Sequence, residues 1–357
     1  MSIVVLQLPD VKSEKAERPQ KCPYCAGEIF QRWGQVKKPI RDHKTEAVRV
    51  YRYRCCRCRR TFRDYPDGVD RADQSRRLRK LAALVWVLGL SYRGLVAVFT
   101  AFGVKIGRMS VWRDVQELGQ SRQKEMKWRP VRVLGVDGAY VRGWGETQPV
   151  LVAVDMGTGQ PVAIGKIDEK DPKAVKEFLE PLVQRLGVSV TLAPAARAGV
   201  VTDDLSSYKK VSEELDLTHQ VCQFHLRRWV GRALYELKAQ LPAEWQETLT
   251  EVKRLIAELP PDGDKRLVAL WKKIPENRAG RSGQPFSPLD QLRHLLVRLA
   301  ENWARFRVFD WQPDVPWTNN QSEQTIGRMK MRSRTVRGYK TWSGMQNGLF
   351  LAGTGMI

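Results

Sequence analysis

The chain lacks any apolar run long enough to cross a membrane. Its longest, LAALVWVLGL at residues 81–90, falls well short of the roughly 18 residues that a bilayer span requires. The N-terminal residues also lack the basic-then-apolar pattern of a secretory leader. Both absences lead us to expect a cytoplasmic, prokaryotic protein without a membrane partner. Acidic residues are in short supply, with 39 Asp and Glu set against 61 Lys and Arg, for a formal net charge of +22. Such an excess points to a polyanion as partner, of which nucleic acid is the commonest and an acidic membrane surface the competitor. The first 130 residues hold 29 basic and 13 acidic residues, so +16 of the +22 lies in about the first third of the chain. That third is the expected grip on the polyanion.

What is present is enough for a folded protein: 357 residues, 42% of them hydrophobic, give room for two or three domains. Residues 1–20 read as a poorly ordered lead-in. Five of the six cysteines are grouped. CPYC supplies Cys22 and Cys25, and after about thirty residues CCRC supplies Cys55, Cys56 and Cys58. Two CxxC knuckles at this separation can close a tetrahedron of thiolates, so Cys22, Cys25, Cys55 and Cys58 are expected to hold a structural Zn2+ in a zinc ribbon over residues 21–66. Cys56 is left over as a packed thiol. Beside the knuckles, VRVYRYRCCRCRRTFRDY at 48–65 interleaves arginines with aromatics, a composition suited to phosphate contact and base stacking.

Residues 72–119 carry helical periodicity, with Ser91 as one N-cap and Ser110 opening a last short helix that bears Trp112 and Arg113. This is the pattern of a helix-turn-helix unit, with Arg108, Ser110 and Arg113 as expected DNA contacts. Residues 120–130 end in Pro and read as a linker.

VRVLGVDGAYVRG at 131–143 then reads as a buried strand ending at Asp137. QPVLVAVDMGTGQPVAIGKID reads as a hairpin, with Asp155 a turn residue. A helix over 171–187 follows, then a strand AGVVTDDLSSY ending at Asp203 and Asp204, a short helix, a strand around LTHQV, and a helix carrying Cys222 and His225 one turn apart. Three strands, helix, strand, helix, strand, helix is the order expected of a ribonuclease-H-like α/β fold with a mixed sheet, its first part at 131–239. Residues 240–315 read as an all-helical insertion. The final part, 316–357, contains a helix capped by Asn319 or Asn320, with Glu323 in its first turn and Arg328, Lys330, Arg332 and Arg334 beyond, all expected to face DNA. From Gln324 to Lys340 there are six basic residues and no acidic one.

Three carboxylates at two strand ends and a helix start suit divalent-metal phosphoryl chemistry, in which acidic oxygens converge on the ions. GVDGAYV, VTDDLSSY, CQFH and TNNQSEQTIGRMKMR together resemble the catalytic core of DDE transposases of bacterial insertion sequences, over about residues 131–350. CQFH is similar to the C/DxxH element of their Mutator-like and hAT-like relatives. The resemblance implies Mg2+ or Mn2+ held by Asp137, Asp203 and Glu323 as the catalytic residues, Asp204 being the alternative to Asp203. It implies a structural or DNA-positioning role for Cys222 and His225. It further implies double-stranded DNA as partner, both the element's terminal inverted repeats and the target, a homodimer or larger assembly, and a location at the nucleoid. A catalytically silent DNA-binding regulator and a nuclease that never joins strands are the alternatives. The chain stops soon after the basic helix, and any further DNA-binding tail of such relatives is expected to be absent or truncated.

Overall fold

The computed structural model describes residues 8–15, 17–126, 131–185, 198–275, 287–336 and 338–354. Residues 1–7 of the expected lead-in and 127–130 of the expected linker lie outside them. The chain divides into two compact units: Met1–Lys127 with Arg142–Thr147 and Gly327–Ile357, and Trp128–Val141 with Gln148–Ile326.

The first unit opens on a three-stranded antiparallel sheet, β1 (Phe30–Pro39), β2 (Ala47–Cys55) and β3 (Thr61–Asp64), in the order β1-β2-β3. Strand β2 buries one face in its first half, with Val48 and Val50, and the opposite face in its second, with Tyr51, Tyr53 and Cys55, while Arg49 and Arg52 stay exposed. The expected strand over 48–65 is therefore two strands, broken by the second cysteine knuckle. Part of the lead-in is tied to this sheet, since the Arg49 amide donates to the Ser13 carbonyl at 2.7 Å and the Lys12 amide to Asp67 at 3.1 Å.

Three helices follow, α1 (Arg76–Val87), α2 (Tyr92–Ala101) and α3 (Arg108–Met126), closing on a core that includes Leu78, Trp86, Leu95, Phe99 and Val111. Ser91 caps α2 as expected, its hydroxyl accepting from the Gly94 amide at 3.1 Å. Ser110 does not cap α3. The helix starts two residues earlier, at Arg108, and runs through residues 120–126, which the composition had suggested were linker. From the end of the chain, α12 (Trp342–Thr354) packs on α3, where Gly119 passes so close to Asn347 that a Cβ would lie 2.4 Å from its carbonyl oxygen.

The second unit is built on a five-stranded sheet of order β6-β5-β4-β7-β8. Its strands are β4 (Val133–Gly143), β5 (Glu146–Asp155), β6 (Gln160–Gly165), β7 (Gly199–Thr202) and β8 (Thr218–Val221). Strands β5 and β6 pair antiparallel, whereas β4 with β7 and β7 with β8 pair parallel, so the sheet is mixed as expected. Helices α4 (Pro172–Arg185), α5 (Ser206–Glu214) and α6 (Gln223–Lys238) connect or follow the strands. The stretch expected to be an all-helical insertion is helical where described: α7 (Gln246–Glu258), α8 (Gly263–Lys273), α9 (Pro288–Glu301) and α10 (Trp303–Phe306). It has a core of its own, with Leu255, Leu267, Leu292, Leu296, Trp303 and Phe306, into which α6 inserts Leu226, Val230 and Leu234. Helix α11 (Asn320–Thr335) begins in this unit, and its residues from Gly327 on belong to the first. No described helix is long and apolar enough to cross a membrane.

Within the first unit one carboxylate links sheet and helices. Asp42, from the β1–β2 turn, accepts from the Ser75 hydroxyl at 2.5 Å, from the Arg77 guanidinium, and from the Lys44 and Thr45 amides at 3.0 and 3.2 Å. Burial alone would raise its pKa, but the Arg77, Ser75 and Lys44 bonds outweigh it and hold the value at about 2. A depressed folded pKa contributes stability above the ordinary carboxylate range that is lost as the pH falls from about 4 toward 2. We therefore expect Asp42→Asn to destabilise this unit by roughly 1–3 kcal/mol at neutral pH. Denaturant melts at pH 7 and pH 2.5 should show the difference shrinking at the lower pH, and an unchanged difference would mean that the Asp42 charge is not what holds the contact.

Candidate active site

Asp137 does not end its strand, because β4 continues for six more residues. What ends near it is the pairing. Strands β4 and β7 pair at Val133 with Gly199, Leu134 with Val200 and Gly135 with Val201, and the same register carried two residues further sets Asp137 opposite Asp203. Asp203 directly follows the last residue of β7, as expected. Its environment is strongly acidic. Burial first, then the charges of Glu169, Asp137 and Asp204, push the Asp203 carboxyl up to about 7. Its Oδ1 is buried without a hydrogen-bond partner.

Glu169 was invisible to the sequence reading. It follows β6 in a turn whose composition, DEKDP, signals nothing beyond a loop. Its carboxylate lies over the backbone of Gly138, where a Cβ would come within 2.3 Å of it, and thus beside Asp137. Tyr208 donates its hydroxyl to Glu169 Oε2 at 2.9 Å, and Ser207 donates to the Glu169 carbonyl at 2.5 Å. Tyr208 is 1% exposed, and burial with the charges of Glu169, Asp203 and Asp137 raises its pKa well above the ordinary value. Three carboxylates and a phenol, from β4, the β6–α4 turn, the end of β7 and the first turn of α5, thus share one corner.

Asp204 faces elsewhere, accepting from Arg298 of α9 at 2.6 Å. Arg298 stacks over Trp229 at 4.5 Å. Both line a cleft of about 470 Å3 together with Asp203, His225, Arg228 and Arg232. Under the floor of this corner, the Thr202 hydroxyl gives its proton to the Asp203 carbonyl at 2.6 Å, so His219 Nε2, 2.8 Å away, is the donor to that hydroxyl. Burial, then Arg305 and Lys209, lower His219 to about 3, which keeps the ring neutral.

Glu323 sits in the first turn of α11, as expected. The start of that helix is pressed onto β4. Asn319, which the sequence offered as a cap, instead donates Nδ2 to the Val136 carbonyl at 3.1 Å. Gly135 permits the approach, because a Cβ there would lie 2.1 Å from Ser322 Oγ and 2.5 Å from Asn319 Oδ1. The Glu323 carboxylate turns to His225, with Oε1 3.1 Å from Nε2. Cys222 precedes α6, and its Sγ accepts the Asn319 amide at 3.3 Å. Asp155 is the turn residue it was expected to be, accepting from Gly157 N and from the Thr158 hydroxyl.

In the first unit Cys22, Cys25, Cys55 and Cys58 place their sulfurs within 4.8 Å of one another, while Cys56 stays outside the group. The Cys58 amide chiefly lowers the Cys55 thiol, to about 7. Four converging thiols are the donor set of a structural zinc.

The expected DNA contacts divide. Arg108 and Arg113 are exposed on α3 with Ser110 half-buried between them, and Lys330 and Arg334 reach solvent on α11. Arg332 does not. It is 2% exposed, lies 4.1 Å over the Trp86 ring, and donates to the Gly89 and Leu90 carbonyls. Arg328 is half-buried with two bonds to the Gly353 carbonyl. Both guanidiniums are consumed by the fold, because the basic helix has a buried side. Tyr51 and Tyr53 of β2 are buried too, which leaves Tyr24 and Trp33 as the exposed aromatics of the ribbon.

The comparison with known families bears out the likeness to DDE-type insertion-sequence transposases. The family whose model matches is the IS66 family of transposases, over residues 184–347. The matched span takes in Asp203, Cys222, His225 and Glu323 and begins after Asp137 and the cysteine cluster. No curated protein matches the chain.

The Tyr208–Glu169 bond is testable by stability. Tyr208→Phe strips Glu169 Oε2 of its buried donor and should cost roughly 1–3 kcal/mol in denaturant melts. A change below about 0.5 kcal/mol would show that the hydroxyl does not support the carboxylate.

Proposed function

We propose that the protein is a DNA transposase that binds the terminal inverted repeats of an insertion sequence and cleaves and transfers DNA strands with divalent ions. The observation that carries this reading is the acidic corner, where Asp203 is raised to about 7 by burial and by the charges of Glu169, Asp137 and Asp204. Like charges are kept at close quarters at a cost, and a bound cation offsets it. The donors are carboxylate oxygens, the ligand class of Mg2+ and Mn2+, and the buried, unbonded Asp203 Oδ1 fits such an ion. Asp137, Asp203 and Glu323 would hold the ions. When bound, these ions supply charge neutralisation and a nucleophile activated near neutral pH.

The residues of the chain do the rest. Glu169 and Tyr208 fix the carboxylate wall beside Asp137, and His219 through Thr202 fixes the backbone of Asp203. The pairing of Asp204 with Arg298 favours Asp203 as the ligand. Arg228 and Arg232 line the cleft beside Asp203 and suit the phosphates of a DNA strand. The strand order β6-β5-β4-β7-β8, with its mixed pairing, supports a ribonuclease-H-like core. In the first unit, α1–α3 fit a helix-turn-helix, with Arg108, Ser110 and Arg113 toward DNA. Lys330 and Arg334 are the members of the basic helix with solvent access. A zinc in the Cys22, Cys25, Cys55 and Cys58 cluster would staple the ribbon, whose Arg49, Arg52, Arg57, Arg59 and Arg60 remain on the surface. The site of action is the nucleoid of a prokaryotic cell, and because two DNA ends are processed together the active form is a homodimer or larger.

Two outcomes follow. With labelled element ends and Mg2+, Asp137→Asn and Asp203→Asn should each lower cleavage at least about 100-fold while leaving end binding within about 2-fold, whereas Asp204→Asn retains cleavage. Cleavage that survives Asp203→Asn would sink the assignment. Replacing Cys22 and Cys58 together by Ser should remove the ribbon's zinc and unfold the ribbon, read by metal analysis and proteolysis.

A further inference from the structure

Three side chains of different chemistry meet at one point. Cys222 Sγ, His225 and the Glu323 carboxylate place their ligand atoms within 4.8 Å of one another. The backbone holds them there: the Gln223 amide donates to the Trp317 carbonyl at 2.9 Å, and the Asn319 amide to Cys222 Sγ at 3.3 Å. These bonds join the start of α6 to the segment that leads into α11. Glu323 Oε1, 3.1 Å from His225 Nε2, is buried, yet no hydrogen bond reaches it with workable geometry. An imidazole nitrogen and a carboxylate oxygen that face each other out of hydrogen-bond geometry, with a thiol alongside, leave a point to which all three can donate. The side chains of His225 and Glu323 are 26% and 35% exposed, so the fourth direction opens to solvent.

We propose that Cys222, His225 and Glu323 form a second metal site, for a thiophilic divalent ion of the Zn2+ type, with an open position for water or a phosphate oxygen. One thiolate, one imidazole and one carboxylate make a donor set that Zn2+ and Co2+ prefer and Mg2+ refuses. The site differs from the four-cysteine cluster in having three ligands, one of them an oxygen. One consequence rests on the reading of Glu323 as a ligand of the catalytic ions: an ion held here engages the same carboxylate, so soft and hard metals compete for it, and Zn2+ would inhibit Mg2+-dependent cleavage.

The test is metal content, which does not depend on cleavage. The full chain, stripped and reloaded with Co2+, should bind about two ions through thiolate, one in the cysteine cluster and one here, counted by thiolate charge-transfer absorption, which an ion held by carboxylates alone lacks. Glu323→Gln and His225→Asn should each bind about one, with the four-thiolate absorption of the ribbon unchanged. Cys222→Ser should remove the charge-transfer absorption of the second ion alone. Cys222 is fully buried, so the half-exposed Glu323→Gln variant carries the test should the serine variant misfold. A wild-type chain that takes up about one ion, or a second ion that survives all three substitutions, overturns the proposal. Loss of DNA cleavage in any variant bears on the transposase reading and leaves this count untouched.

Discussion

The second unit depends on one close approach, the start of α11 laid against the backbone of β4. Asn319 spends its amide on the Val136 carbonyl, and Gly135 offers no side chain to hold the helix away. Everything that brings Glu323 into the neighbourhood of β4 follows from it, although more than 180 residues separate the two in sequence. The contact is backbone against side-chain amide, so it does not slide as an apolar contact can, and Glu323 inherits its position from the strand. Cys222 anchors the same segment from the other side through the Asn319 amide. The CxxH element therefore has a mechanical role whatever else it does.

Charge is the second constraint. Carboxylates gathered in a half-buried corner repel, and the raised pKa of Asp203 measures how much. A protein selected for stability alone would replace one of them. Here the opposite has been built: Tyr208 is buried to donate to Glu169, and His219 is kept neutral to brace Thr202. Asp204, one residue away, is instead neutralised by Arg298 from the helical insertion. Adjacent carboxylates thus have opposite electrostatic settings, one compensated by the protein and one left for something else.

Much of this was legible in the sequence wherever the cause was local. The hairpin at Asp155, the cap at Ser91, the four cysteines and the helix start before Glu323 all follow from turn chemistry, capping and spacing over a few residues. The misreadings share a different cause. Asp137 lies within a longer strand because β4 goes on past its parallel partner. Arg328 and Arg332 sit on a helix whose charges suggest solvent on every side, but Trp86 and two loop carbonyls bury one of them. Ser110 has the residue type of a cap, yet the helix had already begun. Glu169 carries no periodicity and no motif, and only the tertiary arrangement of Gly138, Tyr208 and Asp203 gives it a role. Local chemistry is written in adjacent residues, whereas the partner that consumes a charge is written elsewhere in the chain.

Gly135 and Gly138 carry an implication for how such a gene decays. A methyl group at Gly135 meets Ser322 Oγ, Met156 Sδ and Asn319 Oδ1 at 2.1–2.5 Å, and one at Gly138 meets the Glu169 carboxylate at 2.3 Å, so a replacement at either codon displaces the side chains packed there. Loss of function can therefore enter through positions without a functional group, and a lineage could fall silent with each of its carboxylates intact.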